Sequence, residues 1–401
     1  MRPRRRVVRS ARVLAEFLRT EASGGVVLLI ATVAALVWAN GPFADSYTSL
    51  LERHVAVELG PIHINEDLHG WVNDGLMTIF FFVVGLEIKR ELVTGELRDP
   101  RAAALPAFAA LGGMVVPAAI YAVLNAGSPG AGGWGIPMAT DIAFVVGILA
   151  VLGPRAPTSL KLFLLTLAIV DDIGAIGAIA VFYTDDLLVG WLGWAGLALG
   201  AIVVLRLVRV PWPLVYVVPG AAAWYATLES GIHPTIAGVA IGLITPALPV
   251  RGRSVLISLE HRLHPWSAFA IVPLFALGNA GVELSLPALS TAVGSRVFWG
   301  VVAGLVAGKI GGITLASWLA VRSGVGRLPG ELDWRHVVGG SALAGVGFTV
   351  SLFITGLAFT DASLTDTAKV GILAASTAAA LIGAFVLRTR HGSAELSPRA
   401  D

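Results

Sequence analysis

Long apolar runs, separated by short polar connections, follow one another along almost the whole chain. A helix of about 20 apolar residues is long enough to cross the hydrocarbon core of a bilayer. Twelve runs of this length, or nearly so, are centred near residues 31, 79, 114, 143, 171, 197, 220, 241, 273, 308, 346 and 378. The pattern predicts an all-α polytopic membrane protein with twelve transmembrane helices. We expect its transmembrane domain to cover 21–389, between a basic segment at 1–20 and a tail at 390–401.

One outer connection, "HVAVELGPIHIN" at 54–65, has a different pattern. Apolar and polar residues alternate on both sides of Gly60-Pro61, which is typical of a β-hairpin. A lone two-stranded hairpin is marginally stable in water, and its open edges favour pairing with another chain. We therefore expect a small periplasmic hairpin that joins two copies in a homodimer. A loop that only packs on the outer surface is the alternative.

The composition supports a membrane protein and excludes several other classes. Apolar residues make up 56% of the chain and charged residues 13%, whereas soluble domains contain about 25% charged residues. The chain has no Cys, so disulfides, thiolate catalysis and Cys-ligated metals are excluded. The basic start "MRPRRRVVRSAR" is not followed by a small-residue cleavage pattern, so we do not expect a cleaved signal peptide. A positive-inside anchor explains this basic start better than nucleic-acid binding does.

The charges of the connections alternate in the way that twelve spans require. A strongly basic N-terminus is expected on the cytoplasmic side. The predicted cytoplasmic connections then all carry Arg or Lys: 89–101, 152–161, 206–213, 249–265 and 321–335. The opposite loops read "YTDD", "LES" and "FTDAS", and only Arg296 and Lys369 depart from the rule, both near an outer helix end. The alternation predicts that both termini are cytoplasmic.

Two adjacent aspartates, Asp171 and Asp172, lie in the middle of the apolar stretch "TLAIVDDIGAIGA". A charged side chain at the bilayer centre costs roughly 2.5–3.5 kcal/mol on insertion scales. The cost of two such groups is a large fraction of a typical free energy of unfolding, which is about 5–15 kcal/mol. Adjacent helical residues point about 100° apart, so one carboxylate can face an ion path while the other meets a partner. Carboxylates bind hard cations or protons, and each cargo expels the other, which is the chemistry of antiport.

Two other spans are interrupted in their middle. In "GIPMATDIAF", Pro137 breaks the helical hydrogen-bond ladder next to Thr140 and Asp141. Unwound backbone at membrane depth is tolerated only where it is buried in protein or lines a cavity. In "AGVGFTVSLF", Gly345 and Gly347 weaken a second helix. Interrupted spans in corresponding positions of the two halves are typical of secondary transporters, where they form the binding site. A simple proline kink is the alternative, and no residue-by-residue repeat is evident.

Lys309 is a cation in mid-membrane, in a chain that has only four Lys among its 28 basic residues. Arg does not release its proton under biological conditions, whereas a buried Lys can. The choice of Lys therefore indicates proton exchange, with a fixed counter-ion as the alternative. Glycines spaced by four permit close helix contact, which would bring Lys309 near one of the two aspartates. These glycines are Gly304, Gly308 and Gly312.

Several motifs together resemble the NhaA family of bacterial sodium/proton antiporters, from about residue 15 to 388. They are "FFFVVGLEIKREL", "MATDIAF", "LAIVDDIGAIGAIAVFYT", "SGIHPTIAGV", "LEHRLHPW" and "GVGFTVSLFI". The resemblance implies inverted repeats with two broken, crossing helices, in a symmetric dimer of the bacterial inner membrane. It also implies electrogenic, pH-regulated exchange of cytoplasmic Na+ or Li+ for a larger number of external H+, serving pH homeostasis. It implies a transporter that is not an enzyme and needs no cofactor.

The resemblance also implies a role for each motif residue. Asp171 and Asp172 would bind Na+ and protons, and Lys309 would pair with Asp171. Thr140 and Asp141 belong to the broken-helix motif, where Asp141 would balance the positive helix ends. The remaining motif residues resemble a pH-sensing set: Glu87, Arg90, Glu91, Glu260, His261, His264 and His233.

Helical spacing and histidine chemistry support that set independently. The residues at 87, 90 and 91 are neighbours on one helix end, and His titrates near neutral pH. An ordinary solvated charge cluster is the alternative.

Two other function classes fit part of the pattern. An intramembrane aspartyl protease could use Asp141 and Asp171 as its dyad, but the chain lacks the G-x-G-D motif and such an enzyme has no need for Lys309. A cation channel is the other class, and no loop resembles a selectivity filter.

Overall fold

The computed structural model describes residues 3–60, 62–184, 187–210, 212–247 and 254–389. Within these residues the chain is almost entirely helical. The α-helices in chain order are α1 Pro3–Ala39, α2 Ala44–Leu51, α3 Leu68–Gly70, α4 Met77–Val93, α5 Pro100–Leu124, α6 Ile142–Leu152, α7 Thr158–Phe182, α8 Val189–Leu207, α9 Pro213–Leu228, α10 Thr235–Ile244, α11 Val255–Trp266, α12 Val272–Asn279, α13 Leu286–Gly294, α14 Arg296–Ala303, α15 Lys309–Arg322, α16 Trp334–Leu343, α17 Phe348–Ala358 and α18 Ala362–Arg388.

Shorter helical segments join some of these helices. π-helical turns at Trp71–Leu76, Ser267–Ile271 and Gly304–Gly308 connect α3 to α4, α11 to α12 and α14 to α15. The segments Glu96–Arg98, Pro129–Met138 and Gly153–Arg155 are 3-10 helical. Isolated π turns are often found at functional sites, and the last of the π turns ends directly before Lys309.

The long apolar helices identify a multi-pass membrane protein. Among the described residues, six helical stretches are long and apolar enough to cross a bilayer, and two bent helix pairs raise this number to eight. The six are Thr20–Ala39, Pro100–Leu124, Thr158–Phe182, Val189–Leu207, Arg296–Arg322 and Ala362–Arg388. Every centre inferred from the sequence falls in a helical segment or at the bend of a pair. The count of twelve spans stays a prediction.

The hairpin between α2 and α3 is confirmed. Strands β1 (His54–Leu59) and β2 (Ile62–Asp67) pair antiparallel, with His54 opposite Asp67. The second strand runs two residues beyond the predicted end at 65, and Pro61 of the turn lies outside the described residues. The Asp67 carboxylate ends the strand because it accepts a hydrogen bond from the Gly70 backbone N–H at 2.6 Å and thereby caps α3.

Both predicted helix breaks are present, and they pack against each other. The segment Pro129–Met138 and α6 are bent by 44°, and α16 and α17 by 47°. The backbone between Met138 and α6 is extended, so this break is more than a proline kink. The backbone N–H of Asp141 donates to the carbonyl of Val346 at 2.7 Å, which joins the two breaks directly. The freed backbone groups of one broken helix thus find partners on the other.

The glycines around Lys309 make the close contacts that their spacing predicts. A Cβ atom at Gly304 would lie 2.7 Å from Pro137, and one at Gly308 would lie 2.8 Å from the backbone of Pro117. A Cβ atom at Gly312 would lie 2.2 Å from the carbonyl oxygen of Gly112 on α5. Three small residues therefore allow the π turn and α15 to pack closely against α5 and against Pro137 before the first break.

Replacement of Gly312 by Ala is expected to destabilise the protein by about 1–3 kcal/mol, because the added methyl group has to displace a helix backbone. The neighbouring Gly311→Ala is a matched control, since a Cβ atom there meets nothing within 4 Å. Thermal unfolding of the purified variants in detergent measures the difference. Equal melting temperatures for the two variants would contradict the importance of this contact.

Candidate functional site

The centre of the site is an ion pair between Lys309 and Asp171, both of which are 0% exposed. The Lys309 Nζ donates to Asp171 Oδ2 at 2.6 Å, to Thr140 Oγ1 at 3.0 Å and to the carbonyl oxygen of Met138. The three protons of the ammonium group thus have three acceptors. Buried charges persist when they are paired and hydrogen-bonded in this way.

Three elements supply these groups. Asp171 comes from the middle of α7, and Lys309 begins α15 directly after the π turn. Thr140 and the carbonyl of Met138 come from the break before α6, where the backbone is not helical and its carbonyls are free to accept from elsewhere. The Thr140 hydroxyl lies 2.7 Å from Asp171 Oδ2 and 3.0 Å from the carbonyl oxygen of Ala344 at the other break. The ion pair is therefore fixed at the point where the two broken helices meet.

The two adjacent aspartates have different surroundings. Asp171 Oδ1 is buried and has no hydrogen-bond partner among the described residues. Asp172 is partly exposed, and no hydrogen bond or ion pair to its carboxylate is found in the described part of the chain. The rotation of about 100° between successive residues of α7 places one carboxylate in the ion pair and leaves the other open.

Asp141 caps two helices at once. Its Oδ1 accepts from the backbone N–H of Phe144 at 3.2 Å, which caps α6. Its Oδ2 accepts from the backbone N–H of Thr349 at 3.1 Å and from the Thr349 hydroxyl at 2.7 Å, at the start of α17. A negative charge between two helix N-termini is favourable because both termini carry partial positive charge. Within the described residues, no hydrogen bond joins Asp141 to Asp171, so the two do not form a dyad that shares a proton.

A second cluster of charged residues lies where the ends of α4 and α11 meet. Arg90 forms ion pairs with Glu260 and with Glu91, the latter at 3.0 Å. His264 Nε2 lies 3.8 Å from Glu87 Oε1. Glu260 is only 5% exposed, and this burial raises its pKa against the lowering effect of the Arg90 charge. The cluster is thus a partly buried ion-pair network and not a solvated set of charges.

Two of the predicted pH-sensing residues lie outside this network. His261 is exposed and makes no hydrogen bond or ion pair with another described residue. His233 belongs to a different group, where its Nε2 lies 3.2 Å from Asp74 Oδ1 and its Nδ1 lies 2.9 Å from the Thr235 hydroxyl. Its ring also meets that of Phe353 edge-on, with 5.0 Å between centroids.

The sequence did not identify two residues that contact predicted site residues. Glu21 of α1 accepts a hydrogen bond from His264 Nε2 at 2.7 Å, and Thr349 holds Asp141. Glu21 is the first residue of "EASGG", at the edge of the first apolar run. A charged residue one helical turn before a pair of glycines was the sequence signal that could have identified it. Thr349 follows Gly347 in the second interrupted span, as a hydroxyl next to a break.

Comparison with known proteins decides the family. The family model described as Na+/H+ antiporter 1 matches residues 15–387. The "Na(+)/H(+) antiporter NhaA 3" of Frankia alni is 50% identical over 406 residues, covering 93% of this chain and 88% of the relative. The chain belongs to the NhaA family of Na+/H+ antiporters.

Relatives in other bacteria agree with this membership in the NhaA family. The "Na(+)/H(+) antiporter NhaA" of Rhodopirellula baltica is 47% identical and matches 94% of this chain and 93% of its own length. That of Escherichia coli strain UTI89 is 46% identical, with 94% of this chain and 98% of its own length covered. Membership in the NhaA family identifies a transporter and not an enzyme, so the aspartyl-protease interpretation is excluded.

Proposed function

We propose that this member of the NhaA family exchanges cytoplasmic Na+ or Li+ for external H+ by alternating access. Asp171 and Asp172 are the groups that bind Na+ or H+ in competition. The observation that carries this proposal is the asymmetry of the pair. One carboxylate is locked in a fully buried ion pair with Lys309, while its neighbour is partly exposed and free of partners among the described residues.

The contacts suggest how one cation replaces protons. Na+ is a hard cation that takes oxygen ligands, and the open carboxylate of Asp172 lies one residue from the unpartnered Oδ1 of Asp171. A cation that also used Asp171 Oδ2 would compete with the Lys309 ammonium for the same oxygen. Binding of Na+ therefore favours loss of protons from Asp172 and Lys309, and rebinding of protons expels Na+. Because more proton sites than sodium sites take part, the exchange is electrogenic.

The same proposal includes the finer topology. We propose twelve spans, formed by the eight span candidates together with the shorter helices α4, α9, α10 and α12. One bent pair lies in each half of the chain, and their breaks are joined by a hydrogen bond, which supports inverted repeats with crossing broken helices. We propose that both termini are cytoplasmic and that the protein lies in a bacterial inner membrane, with the hairpin outside and lipid around the helices. The Arg and Lys of the alternate connections support this orientation.

The transport assignment is tested with purified protein in sealed proteoliposomes that contain a pH-sensitive dye. An imposed Na+ gradient should drive proton movement in the opposite direction, and reversal of the gradient should reverse the proton movement. Tracer 22Na+ measures the sodium flux in the same vesicles. Sodium flux with no coupled proton movement would overturn the assignment in favour of a channel.

We also propose that the charged cluster of α4 and α11 senses pH and adjusts the exchange rate. Its members are Glu87, Arg90, Glu91, Glu260 and His264. The exposed His261 of α11 acts from outside the ion-pair network, and His233 acts from the separate group around Asp74. The support is a histidine held among carboxylates: His264 lies within 4 Å of both Glu21 and Glu87. His is the side chain whose ordinary titration lies nearest to neutral pH, so its charge changes in the range where regulation is needed.

Deletion of the hairpin at 54–65 is expected to weaken a homodimer and to leave transport measurable. The two strands pair only with each other within the described chain, so their outer edges have free backbone groups. Light scattering of the detergent-solubilised variant measures its mass, and proteoliposome exchange checks that it is folded. A deletion variant that keeps the dimeric mass at the same dilution would show that the main contact lies elsewhere.

A further inference from the structure

One face of α1 touches both the charged cluster and the first turn of α6, the helix that begins next to the ion site. Glu21 and Gly25 are four residues apart, so they lie on the same side of the helix. Glu21 Oε1 accepts the hydrogen bond from His264 Nε2 at 2.7 Å. Gly25 packs on the first turn of α6 so closely that a Cβ atom there would lie 2.6 Å from the carbonyl oxygen of Ala143. A single turn of α1 therefore joins α11 to α6.

The small residues around this turn make the contact rigid. A Cβ atom at Gly24 would lie 3.0 Å from the Cβ of Ala268, in the π turn that follows α11. One turn further along α6, a Cβ atom at Gly147 would lie 3.9 Å from the carbonyl oxygen of Ala22. Helices that meet through glycine at backbone distance have little room to slide independently. A displacement of α1 is thus passed to α6.

The helix that receives this contact carries the ion site at its start. Ala143 lies two residues after Asp141, whose carboxylate caps α6 and binds Thr349 of the second broken helix. Thr140, which hydrogen-bonds Asp171, directly precedes Asp141. A shift of the first turn of α6 therefore changes the position of groups that touch the ion pair.

Charged groups of three packed helices interact with Glu21: His264 of α11, Glu87 of α4 and Asp141 at the start of α6. Around them, Glu260 acts on both His264 and Glu87, and Arg90 acts on Glu87. Burial alone would lower the pKa of His264. The hydrogen bond and charge of Glu21, followed by the charges of Glu87 and Glu260, outweigh burial and raise that pKa.

We infer that Glu21 is a positioning residue of the antiporter, which couples the charge of His264 to the ion site through α1. The inference rests on the proposed pH regulation by the cluster that contains His264. When His264 is positively charged, Glu21 holds the α1 turn against α11. When His264 loses its proton, the charged part of this attraction disappears, and α1 and the first turn of α6 are free to move together.

The experiment measures the pH of half-maximal exchange in proteoliposomes for Glu21→Gln, His264→Gln and the double variant. Glutamine keeps the shape of Glu21 and removes its charge, so the charged attraction between residue 21 and His264 is absent at every pH, as it is in His264→Gln. The midpoint should then move down by about 1 pH unit. Adding Glu21→Gln to His264→Gln should produce no further shift. Glu21→Asp, which keeps the charge, should restore most of the parent profile, and the exposed Glu52→Gln serves as the control.

Two results would overturn the inference and are distinct from a failure of the proposed regulation. If His264→Gln shifts the pH midpoint and Glu21→Gln does not, Glu21 has no part in the mechanism, and the regulatory role of the cluster stands. If Glu21→Gln shifts the pH midpoint equally in the parent protein and in the His264→Gln variant, Glu21 does not act through His264. If neither single variant shifts the midpoint, both the inference and the regulatory role of the cluster fail.

A packing variant tests the other end of the connection. Gly25→Ala keeps Glu21 and forces α1 away from α6, so we expect the KM for Na+ to change several-fold. Gly196→Ala on α8 is the matched control, because a Cβ atom there meets nothing within 4 Å. A Gly25→Ala variant with the sodium KM of this control would overturn the link to α6.

Discussion

Replacement of Asp172 by Asn is expected to abolish sodium-driven proton movement and to leave the folded protein intact. The Asp172 carboxylate is partly exposed and forms no hydrogen bond or ion pair with the described residues, so its loss breaks no internal contact. Asparagine keeps the shape, but it neither binds a proton in this range nor carries the charge that holds a cation. Exchange should fall to the level of empty liposomes, while the melting temperature changes by no more than a surface substitution would change it.

The comparison with Asp171→Asn makes this test specific. Asp171 is half of the buried pair with Lys309, and removal of one partner leaves an uncompensated buried charge that costs about 3–5 kcal/mol. Asp171→Asn should therefore lose both transport and stability, and Asp172→Asn transport alone. Asp45→Asn, at an exposed position in the first turn of α2, controls for the loss of a carboxylate elsewhere. Near-normal exchange by purified Asp172→Asn would remove Asp172 from the carrier role.

The sequence was informative wherever the signal is local. A proline or a pair of glycines in the middle of an apolar run interrupts the helix wherever that run lies, so both breaks could be located at Pro137 and at Gly345 with Gly347. Charged groups in an apolar run need partners in any fold, which is why Lys309 could be associated with the aspartates of α7. The alternating pattern of 54–65 likewise specified its own hairpin, because the two strands are neighbours in the chain.

Contacts between distant segments could not be deduced in the same way. Thr349 holds Asp141 across 208 residues, and nothing in either segment alone requires that pairing. The same limit explains the histidines of α11. His261 and His264 have similar surroundings in the sequence, but only His264 shares a helix face with Glu260, four residues away, and reaches the cluster. The orientation of α11 toward α1 and α4 decides this, and it depends on packing over the whole molecule.

Replacement of Lys309 by Arg should reduce the charge moved per sodium ion. Lysine can release its proton when a bound cation competes for Asp171, whereas arginine stays charged throughout. The Lys309 ammonium donates to Asp171, to Thr140 and to a backbone carbonyl, and an arginine keeps the positive charge that these acceptors require. If Lys309 carries one of the exchanged protons, the variant loses that proton site. Fewer protons then accompany each Na+, and the dependence of exchange on membrane potential weakens.

The ratio of charge to sodium is the quantity that decides the role of Lys309. Lys309 is fully buried, so a larger guanidinium group slows exchange through steric strain whatever the role of the residue. Strain of this kind lowers the rate and leaves the stoichiometry unchanged. Solid-supported-membrane electrophysiology combined with 22Na+ uptake measures the charge per ion, with Lys161→Arg near the start of α7 as the control. A slower Lys309→Arg protein that moves the same charge per Na+ as the parent would make Lys309 a fixed counter-ion, and the protons would then be carried by the aspartates alone.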